Sequence, residues 1–459
     1  MTVTALTADT SGATQTLLND VLNAALRFGA SAADIVHEQS TSVSVGRRLG
    51  KPESLTRSEE GEVGLRVFVG QRQAIVSSSD LSPKALMAMA ERAVAMARLV
   101  PEDPWCGLAD PEQIIASVTP EMIAALDMDD PTQVDVALMT DLADRAEAAA
   151  LAVAGVTNSD GATFGTGRSV STIMATNGFY GSYGSSGFSL SVSVIAGEGT
   201  AMETDYAFDS TTYFSDLKKP ESIGTEAGSR ASAALNPRKG NTRMMPVILD
   251  RRIAGSIPGA IAGAASGSAI AKGTSIFKDK LGAQIAAPAI TIVDDPFIAR
   301  GSRSRPFDDE GLPVEKRELV KDGVLTTWLM DLRSARQLGM NPTGHASRGT
   351  SSPPGPRAHN LYIPASPIAP QDLIADIDEG FYVTEFLGSG GSIVTGDYSR
   401  GAKGFWIEKG QRTYAVSEMT IAGNLKHMFM NCTPASDLDI RYGVDAPTLR
   451  IDGMTVAGN

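Results

Sequence analysis

Four histidines and two cysteines are all the soft metal ligands this 459-residue chain possesses. Any zinc chemistry has to be assembled from them. His37-Glu38 carries the first two residues of a zinc-binding helix motif, in which a second histidine four positions on completes one helical face. Thr41 and Ser42 stand where that partner belongs, and the surrounding residues alternate like a strand, so no metal is expected there. His345, His359, His427 and Cys432 match no ligand spacing, and each histidine is expected to be a neutral surface or capping residue.

Asp308, Asp309 and Glu310 stand side by side in PFDDEGLPVEKRELV, a hard-cation or acid-base candidate. Consecutive side chains point in different directions, so a turn at Gly311 and Pro313 leading into a strand is the expected structure. FLGSGGSIVTGDYSRGAKG is glycine-rich enough to cradle a phosphate. It lacks both GK[ST] and a strand-turn-helix setting, and is read as a hairpin loop. No Ser-His-Asp or Cys-His set follows from spacing, because such triads are recognised in space.

The least chemical stretch is Ile253 to Ala271, IAGSIPGAIAGAASGSAIA, which holds no charge, amide, histidine or cysteine. Gly255, Gly259, Gly263 and Gly267 recur every four residues and would share one stripe of a helix. Each costs the helix about 1 kcal/mol relative to alanine, so close packing or a vacated site must account for them. A membrane span is excluded, since four isoleucines among Ala, Gly and Ser are too few for a hydrocarbon core.

The elements that must position these residues fall into two groups. QTLLNDVLNAALRFGA is an amphipathic helix closed by Gly29; ADIVHEQSTSVSVGRR and GEVGLRVFVGQRQAIVSSS read as paired strands; and Ser82-Pro83 opens a further helix as N-cap and first residue. VDVALMTDLADRAEAAALAVAG adds a long helix, with its acidic residues expected away from Val136, Leu138, Leu142 and Ala146. From about Gly155 the text alternates Ser, Thr, Gly and Tyr, with a hairpin turn at Asn177-Gly178. A helix near 222–235 and several strands follow. The expected fold is α+β: an N-terminal α/β domain over 1–154 with a mixed sheet and helices, then a β-rich, mainly antiparallel domain over 155–459 that contains 253–271. SSPPGPRAHN is expected to be a surface loop.

Composition narrows the function. A formal net charge of −13 without long basic runs disfavours nucleic acid. Two cysteines fit a reducing compartment, and MTVTALTADTSG has no signal-like core, so the cytoplasm is the expected location.

GSRSRPFDDEGLPVEKRELVKDGVLTTWLMDLRSARQLGMNPTGHASRG resembles the signature region of the TldD/PmbA family of zinc metallopeptidases. DDEG, the LV-x-x-G-x-L strand, the D-x-x-S-A-R turn and T-G-x-x-x-R all recur there. TGDYSRGAKGFWIEKG with VSEMTIAGNL, and the terminal APTLRIDGMTVAG, agree as well. In the TldD branch the helix equivalent to 253–271 carries H-E-x-x-x-H, whose histidines hold zinc while the glutamate serves as base. Aligned through the shared KGTS, those positions fall on Pro258, Gly259 and Gly263, and the branch's third ligand, a cysteine, falls near Cys432. The resemblance therefore implies the PmbA/TldE branch: no catalytic residue and no zinc in this chain, with zinc in a TldD-like partner. The pair would form a heterodimer that cleaves unfolded peptides, such as leader peptides of microcin-type precursors or an antitoxin. For the chain alone, homodimer and monomer both stay open. Two other readings stay open: a stand-alone regulatory protein of the gyrase-modulator type, and a hydrolase built around Asp308, Asp309, His345 and His427.

Overall fold

The computed structural model describes residues 12–388 and 390–458. Residues 1–11, in which no targeting signal is read, lie outside the described residues, as does Ser389 of the glycine-rich loop. The fold is α+β, as expected. Its first unit is a six-stranded antiparallel sheet ordered β3-β2-β1-β4-β5-β6. The strands are β1 (Ala32–Arg48), β2 (Lys51–Val69), β3 (Arg72–Ser78), β4 (Val156–Ala175), β5 (Tyr180–Ala196) and β6 (Glu203–Thr211). Helices α1 (Ala13–Arg27) and α2 (Pro83–Ala97) cover one half of it. The long α4 (Val136–Leu151) and α5 (Pro220–Ala233) cover the other half, after a short α3 (Pro120–Leu126).

Local chemistry explains these elements. Ser82 Oγ accepts from the amide of Ala85, Pro83 occupies the first turn, and Leu86, Met89, Ala90, Ala93, Val94 and Ala97 form the buried stripe of α2. The β4–β5 turn closes with the Ala175 amide on the Phe179 carbonyl and Gly178 at φ 98°, as the Asn-Gly pair requires. Two expectations need correction. In α4, Leu138 is exposed and Glu147 is buried, because Glu147 accepts from the amides of Leu49 and Gly50 in the β1–β2 turn and from Ser159. The division expected at 154/155 falls inside this sheet: β4 returns to pair with β1 from Ala162 to Ala175, and the chain changes sheet only after α5.

The second unit is built on β7 (Arg243–Leu249), β14 (Glu379–Leu387), β15 (Asp397–Glu408), β16 (Gln411–Asn424), β17 (Cys432–Pro434) and β19 (Leu449–Ala457), ordered β16-β15-β14-β7-β19-β17. β16 also pairs with β19, which closes five of these strands into a ring. Beside it lies a smaller sheet ordered β10-β9-β8-β13-β18, made of β8 (Ile292–Asp295), β9 (Arg317–Lys321), β10 (Val324–Leu325), β13 (Asn360–Tyr362) and β18 (Val444–Asp445). A ribbon of β11 (Ala346–Ser347) and β12 (Gly355–Pro356), helix α9 (Leu332–Leu338) and helix α10 (Leu425–Met430) complete the unit. Val247, Leu249, Ile257, Ile261, Phe381, Trp406 and Ile451 belong to its main core.

The glycine-striped segment is three short helices rather than one: α6 (Arg251–Ala254), α7 (Ser256–Ala264) and α8 (Gly267–Ala271). Pro258 sits in the first turn of α7, where its missing N–H breaks no intrahelical bond. The four glycines serve two different purposes. A Cβ on Gly255 would lie 2.4 Å from the Val444 carbonyl oxygen, and one on Gly267 would lie 2.6 Å from Ser334 Oγ and 2.9 Å from the Leu329 carbonyl. A Cβ on Gly259 would meet only Val444 Cγ1 at 3.7 Å, and one on Gly263 would meet nothing within 4 Å. The outer glycines permit close packing; the inner pair faces space.

Candidate functional site

That space is a cavity of about 380 Å³ lined by Gly259, Ala262, Gly263, Leu329, Val444 and, from the opposite side, Arg303 and Arg357. The residues at 258, 259 and 263 bring no donor atom, acid or base to it. A larger cavity of about 690 Å³ adjoins it and shares Arg303, Arg357 and Ala358. Its walls come from both units: Ser185–Gly187 of β5 and the end of β6 on one side, residues 298–305, 357–360 and 439–441 on the other.

Five arginines line the larger cavity, and three are neutralised. Arg300 Nε lies 2.7 Å from Asp127, its Nη1 lies 2.9 Å from Asp216, and it stacks on Tyr213. Arg305 pairs with Asp309 at 3.1 Å, and Arg441 with Asp209 at 3.1 Å. Arg303 and Arg357 make no ion pair or side-chain hydrogen bond among the described residues. Burial, and then the charge of Arg357, pull the Arg303 pKa below its ordinary value.

Below them lies a His-Asp-His cluster. His359 Nδ1 is 2.7 Å and His345 Nε2 is 3.0 Å from the same oxygen of Asp294. Asp294 Oδ1 accepts from the His359 amide, and His345 Nδ1 meets Thr343 Oγ1 at 2.8 Å. Burial alone would raise the Asp294 pKa, but hydrogen bonds from both imidazoles hold it well below the usual carboxylate range. Burial lowers the His359 pKa, with Asp294 opposing, so the ring is neutral near pH 7, with its proton on Nδ1 and a lone pair on Nε2. His359 lines the cavity, and its buried Nε2 has no partner. The expectation of surface or capping histidines is corrected here: His345 and His359 are 0% and 2% exposed, because folding brings them onto a common carboxylate in β8.

The three ligand atoms lie within 4.8 Å of one another, which raises the question of a metal. Tetrahedral zinc at about 2.1 Å from each ligand would hold the ligand atoms roughly 3.4 Å apart. The observed 2.7 and 3.0 Å are hydrogen-bond distances, so the cluster fits one carboxylate shared by two N–H donors. No hydroxyl or thiol among the described residues bonds His359 Nε2, so no nucleophile completes a triad.

The remaining candidates are dispersed. Asp308 accepts from the amides of Glu310, Leu312 and Ala346; Asp309 accepts from the Arg348 amide; Glu310 accepts from the Leu332 amide and lies 3.7 Å from Arg66. Burial pushes the Asp308 and Glu310 carboxyls upward, against these hydrogen bonds. The acidic run is the expected turn, with Gly311 at φ 82°, and it is also a structural hub. Arg66 and Arg348 both bind Asp34 of β1, tying the first sheet to the hub. His427 is exposed on α10, away from these groups. Cys432 is buried, and its thiol is pushed up to about 12 by burial. His37 is buried in β1, and Glu38 bonds Ser171. The glycine-rich loop turns between β14 and β15 with Gly388 and Gly396 at positive φ. Asp294, Arg303 and Arg357 escaped the sequence reading, since none belongs to a spaced motif.

With this geometry in hand, comparison with known proteins gives the class. Models of the PmbA/TldA metallopeptidase domains match in chain order: domain 1 over 33–97, the central domain over 129–235 and the C-terminal domain over 242–458. The chain belongs to the PmbA/TldD metallopeptidase family. It is 36% identical to metalloprotease PmbA of Escherichia coli O157:H7 over 447 residues, covering 96% of each chain. It is 35% identical to the PmbA homolog of Haemophilus influenzae, covering 95% of this chain and 94% of that one. A Bacteroides thetaiotaomicron structure provisionally described as a modulator of DNA gyrase superposes with a TM-score of 0.88 at 27% identity, covering 97% and 99% of the two chains. TldE from Thermococcus kodakarensis shares the fold, with a TM-score of 0.83 at 19% identity and coverage of 96% and 100%. No helix among the described residues is long and apolar enough to cross a membrane.

Proposed function

We propose that this chain is the non-catalytic subunit of a two-subunit cytoplasmic metallopeptidase, forming with a TldD-like zinc subunit a heterodimer that degrades or processes unfolded peptides. One observation carries the reading: where the resemblance puts H-E-x-x-x-H, α7 presents Pro258, Gly259 and Gly263, and the inner glycines open onto a cavity instead of closing over a metal. Cys432, buried with a raised pKa, is a poor thiolate donor. The chain's part is then to hold extended substrate. β6 is an edge strand, and its end borders the larger cavity, which suits strand addition by a peptide. Zinc and the attacking water would belong to the partner.

The test measures peptidase activity on an unstructured peptide, with zinc content, for this chain, for a TldD-like subunit from the same cell, and for the mixture. Activity confined to the mixture, lost with the partner's zinc ligands and retained in Cys432→Ser, is the expected result. Stoichiometric zinc and activity in this chain alone would overturn it. Stand-alone modulation of gyrase has one support, the description given to the Bacteroides relative; inhibition of gyrase by this chain without the partner would favour it.

A further inference from the structure

We infer that Arg303 and Arg357 form a carboxylate-binding site, which takes a carboxylate of an extended peptide next to a small or apolar side chain. The inference rests on the peptide-binding reading above and names the chemistry the site selects. Both residues line both cavities, and neither side chain makes an ion pair or hydrogen bond among the described residues. The nearby carboxylates are already committed: Asp294 to His345 and His359, Asp445 to the amides of Arg441, Tyr442 and Gly443. The site thus offers two guanidinium forks without a hydrogen-bond partner among the described residues, while the charges of Asp445 and Asp294 act on Arg303 from nearby without pairing with it. A guanidinium presents a planar fork of donors matched to a carboxylate, and two of them can share its oxygens.

A second observation points to a ligand at the same place. His359 lines this cavity, and its buried Nε2 has no partner. Asp294 fixes the proton on Nδ1, so Nε2 is an acceptor, suited to an N–H of the same peptide rather than to a second anion. Around the arginines the smaller cavity is lined mainly by apolar residues, among them Ala262, Leu329, Leu361, Ile393 and Val444, with Ser266 and Ser268, whose hydroxyls bond each other, as its other polar side chains. A free phosphate would gain nothing from the apolar part of those walls, whereas a peptide residue would bury its side chain there. Two sources of carboxylate fit: the peptide C-terminus and an Asp or Glu side chain.

The test is fluorescence anisotropy with three dye-labelled unstructured peptides: one acid-free with a free C-terminal valine, the same peptide amidated, and an amidated version carrying one glutamate. The full chain is used, alone and mixed with the TldD-like subunit. Loss of charge-assisted hydrogen bonds should weaken the amidated, acid-free peptide at least about tenfold, and whichever of the other two binds tightly identifies the source. Arg303→Gln and Arg357→Gln should abolish the discrimination while melting like the parent, because neither side chain makes an ion pair or hydrogen bond among the described residues. Equal affinity for all three peptides, or inorganic phosphate displacing them more strongly than free acetyl-valine does, would overturn the carboxylate site and leave peptide binding standing. No binding of any peptide, by the chain alone or paired, would overturn the peptide-binding reading itself.

Discussion

Alanine substitutions along the glycine stripe should move stability in opposite directions. At Gly263 a methyl group meets nothing within 4 Å, so Gly263→Ala in α7 gains helix propensity at no steric cost, about 0.5–1 kcal/mol. At Gly255 the new Cβ would lie 2.4 Å from the Val444 carbonyl oxygen, roughly 1 Å inside an ordinary contact. Both atoms are fixed in backbone, so α6 or β18 has to shift, at a cost of about 1–3 kcal/mol. Gly267→Ala meets both Ser334 Oγ and the Leu329 carbonyl; the serine can rotate away but the carbonyl cannot, and a similar loss is expected. The assay is urea unfolding of the three variants beside the parent, with the midpoint of the transition that reports the second unit compared at constant slope. Gly263→Ala should raise it, and the other two should lower it. A destabilisation by Gly263→Ala as large as that by Gly255→Ala would refute the division of the stripe into packed and open glycines, and with it the cavity over α7.

Three further outcomes follow from the buried polar groups. The folded pKa of His359 lies below its unfolded value, so its contribution to stability is complete above about pH 6.5 and is lost as pH falls toward the folded pKa; His359→Gln should flatten the melting temperature between pH 7.5 and 5, and an unchanged slope would contradict this. Asp34→Asn leaves Arg66 and Arg348 buried without their shared carboxylate and should cost about 3–5 kcal/mol in chemical denaturation, a value below 1 kcal/mol being incompatible with the buried pair. A thiol reagent should label Cys106 but not the buried Cys432 in the native protein, so mass spectrometry should count one adduct before denaturation and two after.

Much of the scaffold is legible in the sequence because local chemistry and tertiary context agree. Ser82-Pro83 caps α2, Asn177-Gly178 turns β4 into β5, and the acidic run folds as a turn on Gly311. Where tertiary contacts decide, periodicity misleads. Glu147 reads as solvent-facing in α4, yet it is the acceptor for a distant hairpin's amides. The break at 154/155 looks like a domain boundary because composition changes there, but the serine- and glycine-rich strand β4 pairs with the strand next to the N-terminal helix. The striped segment has a helix's spacing, but Pro258 has no N–H to bond the Ala254 carbonyl, so α6 ends there and α7 starts anew, with Gly255 at the junction beside β18. The site was least legible. His345, His359 and Asp294 are separated by up to 65 residues; the pairing of β8 with β13 brings His359 to Asp294, and His345 reaches the same carboxylate from the residue before β11. Arg303 and Arg357 stand out only once the partners of every other cavity arginine are known.

The same contacts explain why the cavity can be preorganised although loops supply most of its wall. Residues 298–305 are held from below by Asn360, which accepts from the Arg303 amide at 3.0 Å and donates to Ser304 and to the Asp295 carbonyl. Arg300 anchors one end of this loop to Asp127 and Asp216 in the first unit, and Arg305 anchors the other to Asp309 in the hub. The hub is bound in turn to the first sheet through Asp34, Arg66 and Arg348. Arg303 is thus an arginine without an ion pair among the described residues, on a fixed backbone, between two arginines whose charges are already paired. A flexible surface arginine would have to lose about 2 kcal/mol of side-chain entropy on gripping a ligand; here the guanidinium stem already packs against Gly443, where a Cβ would lie 2.6 Å from Arg303 Cδ. Gly443→Ala strains a backbone at φ 79° and should also push the Arg303 side chain out of place, so beyond a loss of stability it should weaken carboxylate-bearing peptides selectively, leaving the amidated, acid-free peptide unchanged. Equal weakening of all peptides would mean that Gly443 acts on the fold and not on the arginine.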